Sequence, residues 1–249
     1  IPAAAGNAPH PPWHPMNAET LRVGFLVIDD REIRKQYHLP EPFFGMAPTA
    51  LLEGFEQLGN VEVHIVSVVR QPLAMPEKLG PNTWYHAVTV PKWGWLTTGY
   101  QGCIRAVRKK LREIGPDVVH GQGTERDCAI EAAFSGYPNV VTIHGNMREL
   151  SRLFHPRRFS YHWWSAHLED LALRRTCGVF CNSGYTESLV KPRARKTWRV
   201  PNPIRSLFFS LPKAAPEPGG VPRLINVGLV SPRKRQVEML DLARKLHED

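Results

Sequence analysis

Long apolar runs, a disulfide framework and zinc-ligand spacing are all missing from this chain, and each absence closes off a class of protein. No stretch approaches the roughly 18 apolar residues that a membrane-spanning helix needs. The four cysteines, Cys103, Cys128, Cys177 and Cys181, are too few and too scattered to staple a small secreted fold. Cys177 and Cys181 stand four apart, but no second Cys/His pair accompanies them, so the thiols read as buried small hydrophobes and no metal site is expected. Residues 1–15 are rich in Pro and Ala without the charged-then-apolar order of a signal peptide. Met16, just ahead of a strand-like run, is the expected initiator, and the chain reads as cytoplasmic.

What is present points to a globular protein with an anionic partner. Hydrophobic residues at 42% and charged residues at 22% exclude a chain disordered throughout. The net charge of +9 fits nucleic acid, an acidic membrane surface or a phosphorylated small molecule. The positive excess sits in Arg105–Arg112 and Arg152–Arg158. Neither cluster carries a paired Cys/His finger or an aromatic RNA-binding strand motif, which makes nucleic acid the weakest of the three partners.

Hydrophobic patterning sets the fold class. Leu21–Ile28 and Val61–Val69 read as buried strands, separated by a helix from Met46 to Leu58 whose apolar positions share one face. Strand, helix, strand with short joints is a βαβ unit, which implies parallel pairing. The theme recurs: a basic amphipathic helix ends at Gly115-Pro116, a strand covers 117–120, a helix 125–135, and a strand 139–143. A helix at 166–175, a strand at 178–182, a helix capped by Ser183 and a strand at 197–200 follow. This alternation specifies an α/β fold with a doubly wound, mainly parallel sheet. Residues 1–20 read as a loose extension, 21–209 as the main domain, 210–222 as a Pro/Gly linker, and 223–249 as the first strand and helix of an incomplete second α/β domain.

Ligands of such sheets bind beyond the carboxyl ends of the strands, and several residues fall there. Gly45 opens the first long helix, where backbone N–H groups could face an anion, or the glycine could serve the turn alone. Gly121-Gln-Gly-Thr-Glu-Arg126 has the position of a dinucleotide fingerprint but lacks its third glycine, and reads as a plain loop. His144-Gly145 ends a strand, where a histidine can donate to a sugar hydroxyl or stabilise a leaving group, unless it is merely a satisfied loop residue. Ser231-Pro-Arg-Lys-Arg235 puts three cations at a helix N-terminus, which disfavours the helix dipole unless an anion binds there. In the stretch from Arg152 to Trp164, Arg152, Arg157, Arg158 and Trp163 could dock an acceptor or an anionic bilayer, or the aromatics could belong to the core.

Four segments in order carry a resemblance. They are Phe44–Phe55, Pro116–Gly123 continuing through Val141–Gly145, Glu169–Ile204 with its VPNPI turn, and Leu224–Lys234. Together they resemble the GT-B glycosyltransferases, specifically glycosyltransferase family 4. The resemblance implies an acceptor-side Rossmann-like domain followed by the start of a donor domain. It implies transfer of a sugar from a nucleotide-sugar donor, with retention at the anomeric carbon and no bound metal or other cofactor. The acceptor would be a sugar, a lipid-linked sugar or a small metabolite, with peripheral association at the inner face of a membrane. Gly45 would lie near the donor phosphates and His144, as the catalytic residue, near the donor sugar. Gly228, Arg233 and Lys234 would hold the diphosphate.

The chain departs from the family pattern in three places. Leu229 stands where the family has Arg, Pro203 follows Asn202 where the family has Gly, and no Glu has another Glu eight residues on. The paired glutamates and the nucleotide's base and ribose site are expected further along a donor domain, so the 249 residues alone are expected to be inactive. Two other readings stay open: a non-catalytic half-size subunit that pairs with a separate donor domain, and a nucleotide-sugar epimerase on the same scaffold.

Overall fold

A computed structural model describes residues 20–212, 225–228, 230 and 234–248. The expected extension up to residue 19, most of the linker, Leu229, Ser231 and Arg233 lie outside the described residues. The chain divides into two compact units, Ile1–Ser210 and Leu211–Asp249.

The first unit is built on one eight-stranded sheet. Its strands are β1 (Leu21–Leu26), β2 (Val61–Val69), β3 (Lys78–Gly80), β4 (Thr83–Thr89), β5 (Val118–Gln122), β6 (Asn139–Ile143), β7 (Gly178–Cys181) and β8 (Thr197–Arg199), in the spatial order β3-β4-β2-β1-β5-β6-β7-β8. All neighbours are parallel except β3 and β4. The chain winds outward from β1 through β2 to β4, then returns and winds the other way from β5 to β8. The order therefore reverses at β1, and a crevice is left between the carboxyl ends of β1 and β5. This is the doubly wound α/β architecture that the alternation implies.

Helices cover the sheet unequally. They are α1 (Asp30–Arg34), α2 (Met46–Glu56), α3 (Gln101–Ile114), α4 (Cys128–Ala133), α5 (Met147–Phe154), α6 (Tyr161–Arg175), α7 (Gly184–Val190) and α8 (Leu207–Ser210). The basic helix α3 buries Cys103, Ile104, Val107 and Leu111 while Arg105, Arg108, Lys109 and Arg112 stay exposed, so its charge is a solvated face. With α4, α6 and alternate residues of β1, β2, β5 and β6 it forms the largest core. The opposite face carries a smaller core, Val23, Phe25, Val63 and Ile65 under Phe44 and Leu52. Each such fully buried aliphatic or aromatic side chain contributes about 1.5–3 kcal/mol.

Gly121 shows how tightly α4 is seated. A Cβ there would lie 2.7 Å from the Cys128 carbonyl oxygen and 2.9 Å from Ala132 Cβ, a space only glycine leaves open.

Several elements have no counterpart in the sequence reading. β4 has the β-branched and aromatic composition of a strand (TWYHAVT) and pairs with β2 along its whole length. The segment 152–164 is not one helix: α5 ends at Phe154, His155 and Phe159 adopt positive φ, and α6 begins at Tyr161. In the second unit α9 (Gln236–Glu248) forms as expected. Of the strand expected at 223–228, residues 223 and 224 lie outside the described residues, and 225–228 are coil, with Ile225 and Val227 exposed. A lone strand has no neighbour to satisfy its backbone groups, and the described residues of this unit supply none.

Candidate functional site

The crevice between β1 and β5 holds a cavity of about 270 Å³. Its walls come from four places: Val27, Ile28, Asp30 and Ile33 beyond β1, Gly45 and Met46 at the start of α2, Gln122 at the end of β5 with Glu125 beyond it, and His144 beyond β6. Gly45 and His144, far apart in sequence, thus meet around one space.

Gly45 is the N-cap of α2, with φ −58° and no side-chain cap, and no acidic residue occupies the first turn. That φ suits any residue, and a Cβ would meet only Pro48 Cδ at 3.7 Å. Neither backbone nor packing demands glycine here; what a side chain would cost is room at the mouth of the cavity. Pro48 lacks an N–H and Thr49 donates to the Gly45 carbonyl, so Met46 and Ala47 carry the uncommitted N–H groups of the helix end.

His144 belongs to a polar row along the sheet. Its Nε2 lies 3.0 Å from Gln122 Oε1, and an amide oxygen only accepts, so Nε2 carries the proton. The Gln122 amide then donates to His120 Nε2 at 2.8 Å, and the Thr142 hydroxyl donates to the same nitrogen at 2.7 Å. His144 Nδ1 is therefore the unprotonated, accepting nitrogen of the ring. Burial lowers the pKa of His144. Burial, then the neighbouring His144, bring His120 down to about 3, so the row is neutral at pH 7. Its outer side opens on a second, largely apolar cavity of about 420 Å³, whose walls include Leu51, Phe55, Phe180 and Pro203.

Two carboxylates behind His144 went unnoticed in the sequence. Glu169 on α6 is fully buried and accepts from Met147 N (2.7 Å), Arg148 N (3.2 Å), the Thr124 hydroxyl (2.8 Å) and Arg193 Nη1 (2.9 Å). It ties the first turn of α5, and with it the His144–Asn146 turn, to the loop after β5. Glu125 projects over Gly145, where a Cβ would lie 2.7 Å from its Oε1. Burial, with the Glu169 charge adding to it, raises its carboxyl pKa. The loop Gly121–Arg126, read as plain, supplies Gln122 and Glu125 to the cavity. The only signal was position: polar residues directly after a central parallel strand.

On the far side of α2, Glu53 accepts from Arg205 Nε (2.6 Å) and Ser206 N (3.0 Å). Those bonds, Arg205 first, hold its pKa below the usual carboxylate range. They pin the Pro201-Asn202-Pro203 turn beside the apolar cavity.

The remaining sequence candidates lie elsewhere. Arg152, Arg157 and Arg158 are exposed and line neither cavity; Arg152 contacts Glu149 at 3.4 Å and Arg158 lies over Phe159. Trp163 packs on His167 and Trp164, while Phe154, Phe159 and Tyr161 are exposed, so these last three aromatics are surface and not core. Gly228 and Lys234 are neighbours in the second unit, a Cβ on Gly228 falling 3.9 Å from Lys234 Cε. Among the described residues one cluster has the closeness of metal ligands: the buried Cys103, Asp127 and Glu131. No helix is long and apolar enough to cross a membrane among those residues.

Comparison with solved structures finds loose overlaps. Sucrose-phosphate synthase from Thermosynechococcus elongatus matches with TM-score 0.46 and 11% identity, over 73% of this chain and 48% of that one. A UDP-glucosyltransferase from Polygonum tinctorium capable of glucosylating indoxyl gives TM-score 0.48 and 14% identity, over 81% and 56%. UDP-GlcNAc 2-epimerase from Methanocaldococcus jannaschii gives TM-score 0.44 and 13% identity, over 69% and 42%. The chain thus spans about half the length of these structures, and the overlaps are too loose to decide an activity. A search of curated proteins finds no match. The model of Glycosyltransferase Family 4, however, matches residues 49–206, from the first turn of α2 to the turn pinned by Glu53. With that match covering well over half of the sequence, the chain belongs to Glycosyltransferase Family 4.

Proposed function

We propose that the first unit is the acceptor-side half of an enzyme that transfers a sugar from a nucleotide-sugar donor, with retention and without a metal. One observation carries the reading: the uncapped start of α2, neutral His144 and Glu125 converge on a single cavity at the point where strand order reverses. An uncapped helix N-terminus is suited to a phosphate group. In this reading Gly45 leaves room for the donor diphosphate, and the Met46 and Ala47 N–H groups face it. His144 Nδ1 accepts from a hydroxyl of the donor sugar. Gly228, Arg233 and Lys234 are assigned to phosphate binding within the second unit. An acceptor hydroxyl would approach from the Glu125 side.

Charge on a departing diphosphate is stabilised only when donors surround it, so full activity is assigned to the enzyme that unites this unit with a complete donor domain. The test is to join the chain to a complete donor domain of a Glycosyltransferase Family 4 enzyme and to supply UDP-, GDP- and ADP-sugars with mixed acceptors. Transfer with an unchanged anomeric configuration is expected, undiminished by a chelator. Inversion at that carbon, or loss of activity on chelation, would contradict the mechanism.

Glu125 keeps a second reading open, since a nucleotide-sugar epimerase needs an acid/base carboxylate in its cleft. Product analysis without any acceptor separates the two: an epimerase converts the donor sugar itself.

The surface around Leu153, Phe154 and Phe159, with Arg152, Arg157 and Arg158, combines exposed apolar groups and cations as a contact to an anionic membrane would. We assign peripheral membrane association to it. Co-sedimentation with phosphatidylserine vesicles should fall when Phe159 and Arg158 are both changed to Ala; unchanged sedimentation would refute the assignment.

A further inference from the structure

Beside the His144 cavity, and sharing Ile33 with it, lies a larger one of about 530 Å³. It also sits beyond the carboxyl ends of the strands: Arg70 follows β2, Lys92 and Trp95 follow β4, and Arg126 follows β5. Trp95, Tyr100 and Tyr161 provide aromatic wall. The Tyr161 hydroxyl donates to the Glu125 carbonyl at 2.6 Å, so one loop, Glu125-Arg126, borders both cavities.

The polar lining is mostly cationic. Arg70 is fixed by Glu32, donating from Nε to its carboxylate and from Nη2 to its carbonyl at 2.8 Å. Arg126 is fixed by Asp127 and by the Val68 carbonyl, and lies over the Trp95 ring. Glu32 and Asp127 offset two of the three positive charges and hold both guanidinium planes still; Arg70 also meets the Tyr37 hydroxyl, while Arg126 keeps Nη1 without a protein acceptor among the described residues. Lys92 is exposed and has no acidic partner among them. A second anion can therefore bind here without displacing either carboxylate. Guanidinium groups already oriented lose little freedom in doing so. Aromatic faces beside a cationic end suit a sugar or polyol ring that carries an anionic substituent.

We propose that this cavity is the acceptor subsite and that it takes a sugar or polyol bearing a phosphate group, with the phosphate on Lys92 and Arg126 Nη1, beside Arg70. The proposal rests on the transferase reading for the word acceptor, but the binding site stands on its own geometry.

The test uses the whole chain and glucose 6-phosphate, inorganic phosphate and glucose as probes, with affinity from calorimetry and location from backbone amide shifts. Glucose 6-phosphate should bind at least tenfold more tightly than glucose and should move amides at 92–100 and 126. Lys92→Ala should weaken it about tenfold, and Lys92→Glu should weaken it further. Lys92 is exposed and bonds nothing, so neither variant threatens folding. Lys109→Ala, on the solvated face of α3, should change nothing. Equal affinity for glucose and its phosphate, or indifference to Lys92, overturns the proposal. Competition between UDP and glucose 6-phosphate at these amides overturns it as well, because the cavity would then serve the donor. Binding as described, joined to a failure of the donor-completed enzyme to transfer sugar, would leave the phosphate site intact and sink the transferase reading alone.

Discussion

On one side of the His144 cavity the turn between β6 and α5 is fastened by four donors to buried Glu169, while on the other the first turn of α2 arrives with no side-chain cap at all. The difference follows what each side must do. A histidine that offers one particular nitrogen has to be held in orientation, and a buried charge with every oxygen engaged does that well. Backbone N–H groups meant for an anion have to be left free, which a capping side chain would prevent. In the proposed transferase, rigidity on one wall and vacancy on the other are two parts of one preorganised site.

Breaking the rigid wall should produce the largest effect. Glu169→Ala leaves two buried backbone N–H groups without their acceptor and takes one of two acceptors from Arg193, which keeps Asp170, and from the Thr124 hydroxyl, which keeps the Gly145 carbonyl. Removing one partner of a buried pair costs about 3–5 kcal/mol, so urea unfolding of the variant should show a loss of that size. A loss below about 1 kcal/mol would mean that Glu169 fastens nothing. Next comes His144→Ala. It should leave stability nearly unchanged, yet cut transfer by the donor-completed enzyme about a hundredfold. An activity loss accompanied by an equal loss of stability would make His144 one more structural residue.

The same contrast explains what could be read from the sequence. Parallel strands buried on both faces are runs of β-branched residues, so β1, β2 and β6 were legible, and with them the doubly wound order. That Gly45 and His144 lie at the carboxyl edge of the sheet was legible because a glycine before a helix and a histidine after a strand occupy known positions in such a sheet. Glu169 was not: in the middle of a helix with Asp170 beside it, it looks like any solvated carboxylate. Its burial depends on Thr124, Met147 and Arg193, which lie up to 45 residues away. Glu125 and Gln122 were hidden for a similar reason, since a loop lacking its third glycine gives no hint that its side chains face a cavity. Residues 225–228 of the strand expected at 223–228 are coil, because strand composition cannot stand in for a neighbouring strand.

Acid should disturb the His120–Gln122–His144 row by an intermediate amount. His120 has a folded pKa of about 3 against 6.5 when unfolded. The unfolded chain therefore binds the extra proton, and stability rises with pH through that window. It is complete above about pH 6.5 and declines as the pH falls toward 3. By pH 4.5 this one group accounts for roughly 2–3 kcal/mol. His64, lowered to about 4 by burial and by its neighbour His86, pushes in the same direction. His120→Gln keeps an acceptor for Gln122 and Thr142 but cannot titrate. Its unfolding free energy should decline less between pH 7 and 4.5 than that of the unaltered chain; parallel curves would show that His120 is not neutral inside the fold.

The smallest effect tests the vacant wall, and there stability and binding should move in opposite directions. Gly45→Asp places a carboxylate at the N-cap of α2, where it can accept from the first-turn N–H groups and meet the positive end of the helix dipole. Because glycine is itself a fair cap, the gain should be about 0.5–1 kcal/mol. The backbone φ of −58° accepts the change, and Pro48 at 3.7 Å leaves room for the Cβ. The same carboxylate occupies the N–H groups assigned to the donor diphosphate and adds a like charge beside it. Nucleotide-sugar affinity should therefore drop about tenfold, while Gly45→Ala, with no carboxylate, should cost less affinity and a few tenths of a kcal/mol in stability. A Gly45→Asp protein that is more stable and binds the donor as before would show that α2 begins without a cap for reasons unconnected with an anion.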